Sequence, residues 1–68
     1  MLPTGRLSDR ELEVVKKIAA GHRTRDIAEI LGISHHTVKT HRKNIMRKLD
    51  LNTSSQLAAF ALNHGIVK

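Results

Sequence analysis

Apolar residues return at helical spacing in four separate stretches of this chain, each with its own start and stop signal. In the first, Leu12, Val15, Ile18 and Ala19 recur at intervals of three and four residues and define a buried face. Ser8-Asp9-Arg10-Glu11 begins it as a capping box, with the Ser8 hydroxyl accepting from the Glu11 amide and the Glu11 carboxylate accepting from the Ser8 amide. Lys16 and Lys17 suit the later turns, and Gly21 can turn left-handed after them. In the second stretch Ile27, Ala28 and Leu31 form the inner face, with Thr24 as the expected cap and Gly32 as the stop. In the third, Val38, Ile45 and Leu49 fall within ~40° of one another at ~100° per residue, and Ser34 is placed to cap the amide of His36 or Thr37.

The fourth stretch opens on a second capping box, Thr53-Ser54-Ser55-Gln56, after the turn-forming Asp50-Leu51-Asn52. Leu57, Phe60, Ala61 and His64 share one face, while Ala58, Ala59 and Leu62 lie on another. An apolar belt this wide exceeds what one small core needs, so the second face is a candidate for a partner helix. Gly65 ends the stretch, and Ile66-Val67 is expected to fold back as an apolar cap. The pattern predicts an all-α fold of four helices over about 8–20, 24–31, 35–49 and 54–64.

Met1 to Arg6 holds Pro3 and Gly5 without periodicity and reads as a flexible lead-in or linker remnant, which leaves one domain over 7–68. With 68 residues the chain is too short for a sizeable catalytic cleft, and without cysteine it has neither disulfides nor thiolate zinc sites. Helix packing must stabilise it. No apolar run approaches the ~20 residues of a membrane span and no signal-peptide pattern opens the chain, so the expected location is the cytoplasm.

Only Gly32 and Ile33 separate the second helix from the Ser34 cap. So short a connection makes the two helices cross steeply, the signature of a helix-turn-helix, in which the second helix enters the major groove of DNA. Charge supports this reading. The net charge of +6 is concentrated in the middle, where His22 to Lys48 carries seven Lys or Arg against Asp26 and Glu29. The outward side of the third helix gathers His36, Lys39, Thr40, Lys43, Asn44 and Arg47. An ordinary solvated helix mixes both signs, whereas His35 to Leu49 holds five cations and no acid, an electrostatic footprint for phosphate. Arg42 lies near the apolar seam, where it can snorkel to a phosphate or pair with an acid such as Glu11.

The five histidines do not make a metal site, since His35 and His36 point to different faces and no His pair at i,i+4 or carboxylate completes one. His41 reads as a phosphate donor or packed ring, and His64 as a partner for the helix dipole. Ser34, Thr37 and Ser54 lack the base and orienting acid of a nucleophile. Neither an enzyme nor a cofactor is expected.

Four motifs in order carry a resemblance. Leu7-Ser8-Asp9-Arg10-Glu11, Ala19-Ala20-Gly21, the run from Asp26 to Ser34, and Thr37-Val38-Lys39-Thr40-His41 with Asn44 to Leu49 resemble the C-terminal DNA-binding domain shared by NarL/FixJ-type response regulators and LuxR-type quorum-sensing activators. The resemblance runs from Leu7 to Ile66 and implies a four-helix domain that binds double-stranded DNA for transcription regulation. It implies base contacts from Lys39, Thr40 and Lys43, and phosphate contacts from Thr24, Ser34, Thr37, His41 and Lys48. His36 and Arg47, on the same outward face, are expected at phosphates too. It also implies a homodimer through the last helix, which fits Ala58, Ala59 and Leu62; RNA polymerase is a further expected partner. His35-His36 departs from the family's usual polar residues and leaves the first-turn contacts open.

The expected role is the output domain of a bacterial NarL/FixJ-type response regulator. The alternatives are an output domain of a LuxR-type quorum-sensing regulator or a stand-alone small regulator. A module like sigma region 4 is a rival that the last helix and its capping box argue against. A protein-interaction module, with a basic face for an acidic partner and a pairing last helix, is a rival of another class. The target promoter, activation or repression, and any upstream domain are not written in these residues.

Overall fold

The computed structural model describes residues 7–66, so the expected lead-in at Met1 to Arg6 and the Val67 half of the C-terminal cap lie outside the described residues. The chain forms α1 (Asp9–Ala19), α2 (Thr24–Leu31), α3 (His35–Leu49) and α4 (Ser54–Asn63), with no strand among the described residues. These bounds fall close to the predicted ones because the signals that set them are local. Ser8 Oγ accepts from the Glu11 amide at 3.1 Å and Glu11 Oε1 accepts from the Ser8 amide at 2.8 Å. At α4, Thr53 Oγ1 accepts from the Gln56 amide at 3.1 Å, and Gln56 Oε1 accepts from the amides of Thr53 and Asn52 at 3.2 and 2.6 Å.

The start of α2 differs from expectation. Arg23 is the extended N-cap residue and Thr24 is already the first helical residue. Asp26, inside the first turn, accepts from the Arg23 amide at 3.3 Å, so the helix start is closed from within and needs no hydroxyl at the cap.

All four helices end in the same way. The amides of His22, Ile33, Leu51 and Ile66 reach back to the carbonyls of Lys17, Ala28, Met46 and Ala61, and a shorter bond nests inside each. This Schellman closure needs a left-handed residue just before the reaching amide. Glycine fills three of those positions, and Asp50, at φ 56°, fills the fourth.

Val14, Val15, Ile27, Val38, Ile45, Leu57 and Ala61 are buried to within 1% of complete, with Leu7 and Ala28 beside them. α1 is the hub, packing against α2, α3 and α4, and α2 packs on α3. That central position explains a departure from the sequence pattern. Val14 is fully buried, while Leu12, Ile18 and Ala19 are only half-buried at the edge of the core. A helix with neighbours on several sides buries more than the one stripe that an amphipathic pattern marks. Ile66 also packs on the core, as its part of the expected cap.

Candidate nucleic-acid interface

The corner between α2 and α3 is held by Gly32, left-handed at φ 66°, and by Ile33, whose side chain packs on the core. Ser34 then starts α3: its Oγ accepts from the Thr37 amide at 3.0 Å and lies 2.7 Å from Thr37 Oγ1. Val38 and Ile45, two turns apart, are completely buried and seat the helix on the core. On the opposite side His36, Lys39, Thr40, Lys43 and Arg47 are exposed and Asn44 is half-buried. The periodicity of the sequence and the structure therefore agree on which side of α3 faces out.

Lys39 and Lys43 stand one turn apart and line a shallow groove with Arg42, Met46 and Asn52. Neither ammonium has an acidic partner among the described residues. Thr40 Oγ1 donates to the His36 carbonyl at 3.1 Å, and the side chain is exposed. Thr24 is half-buried and lines a second recess with Arg23, Arg25, Asp26 and His35, where the starts of α2 and α3 come together. Ser34 and His36 are exposed, and Thr37 and His41 are half-buried.

Two cations of α3 make contacts within the fold. Lys48, expected against phosphate, has its Nζ 2.7 Å from Glu11 Oε1, with the lysine side chain 35% exposed and the glutamate side chain 5% exposed. Glu11 was expected to pair with a cation of the third helix such as Arg42; the cation it meets is Lys48, and the Arg42 guanidinium donates to Ser54 Oγ in the first turn of α4. Burial alone would raise the Glu11 pKa, but the bonds from Lys48 and the Ser8 amide outweigh it and hold the carboxyl below its ordinary value. The sequence did carry a signal for this burial, since Val15 and Ile18 follow Glu11 by one and two turns on the same face.

On α4, Ala58 is half-buried, Ala59 is exposed and Leu62 is 61% exposed, so part of the spare face lies open. The rings of Phe60 and His64 meet at a tilt of 37° with centroids 4.3 Å apart. No three acidic or histidine side chains converge as a metal would require among the described residues, and no helix there is long and apolar enough to cross a membrane. The arrangement suits an extended polyanion better than a small molecule, because its cations lie along an open face and not around a cleft.

The family described as bacterial regulatory proteins, luxR family, matches this sequence over residues 5–61. Transcriptional regulatory protein MctR from Rhizobium johnstonii is 46% identical over 61 residues, which is 90% of this chain and 28% of that protein. The uncharacterized response regulatory protein YgeK from Escherichia coli is 43% identical over 60 residues, covering 88% of this chain and 41% of YgeK. Oxygen regulatory protein NreC from Staphylococcus haemolyticus is 48% identical over 56 residues, 82% of this chain and 26% of its own length. The chain thus spans between about a quarter and two-fifths of the length of these relatives.

Proposed function

The chain belongs to the luxR family of bacterial regulatory proteins, and from that premise we propose that it is the DNA-reading output domain of a transcription regulator, with α3 in the major groove. The family is one of DNA-binding regulators and not of enzymes. One observation carries the reading: Lys39 and Lys43 are exposed one turn apart on the side of α3 away from the core, with no acid to neutralise them among the described residues. Each ammonium can donate to guanine O6 or N7, and the methyl of exposed Thr40 can rest against a thymine methyl. Thr24, Ser34, His36, Thr37, His41 and Arg47 surround these three and would hold phosphates on either side of the groove, fixing register without reading sequence.

The response regulatory name of YgeK, and the greater length of all three relatives, support an output domain of the NarL/FixJ type joined to an upstream receiver. Ala59 and Leu62, open on α4, support pairing with a second copy. RNA polymerase would then be met at the promoter, and the work would be done in the cytoplasm. Titration of the chain with a duplex selected from a randomised pool, in competition with a scrambled duplex and with heparin, tests the reading. The expected result is a preference that falls by about 1–3 kcal/mol for each base pair changed in the contacted positions. Equal displacement by heparin and by both duplexes would favour a protein-interaction module.

A further inference from the structure

The apolar seat of α3 is one-sided. Val38, Ile45 and Leu49 lie within ~40° of one another around the helix, and Met46, also packed on the core, lies ~80° from Val38 on the Arg42 side, so the flank toward Lys48 has no apolar side chain to resist a roll about the axis. Polar tethers stand on both flanks of the seat. On the helical wheel Lys48 lies ~80° to one side of Val38 and Arg42 ~40° to the other; Lys48 binds Glu11 and Arg42 binds Ser54. Glu11 is a firm anchor because it is itself held by the Ser8 amide at the start of α1 and is 4% exposed.

Roll matters on the far side of the helix. Side chains end at a radius of ~5–6 Å, so a roll of ~20° moves their tips by about 2 Å, more than the distance range of a hydrogen bond allows. We infer that Glu11 and Lys48 are a positioning pair for sequence reading: the ion pair sets the roll of α3 and so aims Lys39, Thr40 and Lys43, and Lys48 does not serve as a phosphate contact. This inference rests on the DNA reading above.

The two roles of Lys48 separate experimentally, because a phosphate contact releases counterions and a positioning residue does not. The test takes the 68-residue chain, a duplex it selects from a randomised pool, and a scrambled duplex of equal length. Affinities are measured across a salt series for the wild type, Glu11→Gln, Lys48→Met, the double variant and Lys48→Arg, with the folded fraction followed by circular dichroism. Glu11→Gln and Lys48→Met should each lower the ratio of selected to scrambled affinity by about five- to tenfold. The double variant should lose no more than either single one. The slope of log affinity against log salt should stay at the wild-type value, and Lys48→Arg, which keeps the ion pair, should keep the preference.

A slope reduced by about 0.9 in Lys48→Met, with both duplexes weakened alike, would overturn the assignment and return Lys48 to the phosphates. A preference unchanged in Glu11→Gln would also overturn it. Should Glu11→Gln fail to fold, the slope and preference of Lys48→Met decide the question alone. A wild-type chain with no duplex preference would overturn the DNA reading and this inference together, whereas a wild-type preference that survives in both single variants overturns only the inference.

Discussion

A carboxylate at 4% exposure would ordinarily be a cost, and at Glu11 the cost is offset by two donors that converge on Oε1, the Ser8 amide and the Lys48 ammonium. Its pKa is lowered despite burial, so the folded chain gives up this proton more readily than the unfolded chain. A group of that kind adds stability above the ordinary carboxylate pKa of about 4.3, and the contribution is lost as pH falls through the lower folded value. Thermal melts of the wild type and Glu11→Gln should therefore differ most near neutrality and converge in acid. A gap that does not change between pH 7 and pH 2 would contradict this. Lys48 is one-third exposed, so solvent screens the pair and the loss in Lys48→Met should be well below that of a fully buried ion pair. That Glu11 suits a cation of α3 was legible in the sequence, but which cation was not, because the partners are 37 residues apart and a helical wheel does not say how two helices dock.

At the scale of the helix, α3 is fixed at its start by Ser34 and at its end by Asp50, and the two ends are not equally sound. Ser34 caps one amide and also meets the Thr37 hydroxyl. Ser34→Ala should cost about 0.5–2 kcal/mol, read as a lower denaturation midpoint with an unchanged m-value. Asp50 stands at φ 56°, a conformation that disfavours a side chain, and its charge lies at the negative pole of the helix dipole. Asp50→Gly should stabilise the fold by about 0.5–2 kcal/mol, raising the melting temperature by a few degrees; a fall would mean that the Asp50 side chain makes a contribution that geometry alone does not reveal. The helix bounds were legible because caps and stops act within a few residues. The errors fell where a distant or interior group took over: Asp26 closed α2 in place of a Thr24 cap, and α1 buried Val14 because it has neighbours on several sides.

For the molecule as a whole, burial and charge divide the surface. α1 gathers the other helices into the core, and α3 is left with one side free and positive. That side was legible from sequence because the angular position of a residue on a helix follows from its number alone, whereas the Arg42 to Ser54 bond joins two elements and depends on how they dock. The open Leu62 on α4 predicts that Leu62→Glu leaves binding to a single half-site intact and removes cooperative binding to a two-fold symmetric site, as read by a titration of each. Equal cooperativity in the variant would remove α4 from the interface.

The central claim is that the outward face of α3 reads bases. It is tested most directly by measuring the affinity of wild type and Lys43→Ala for a complete set of single-base-pair variants of the selected duplex. The account predicts a loss of about 1–3 kcal/mol on the preferred duplex, with discrimination relaxed at one or two adjacent base pairs and intact elsewhere. Uniform weakening across every variant, with the pattern of preference unchanged, would contradict it.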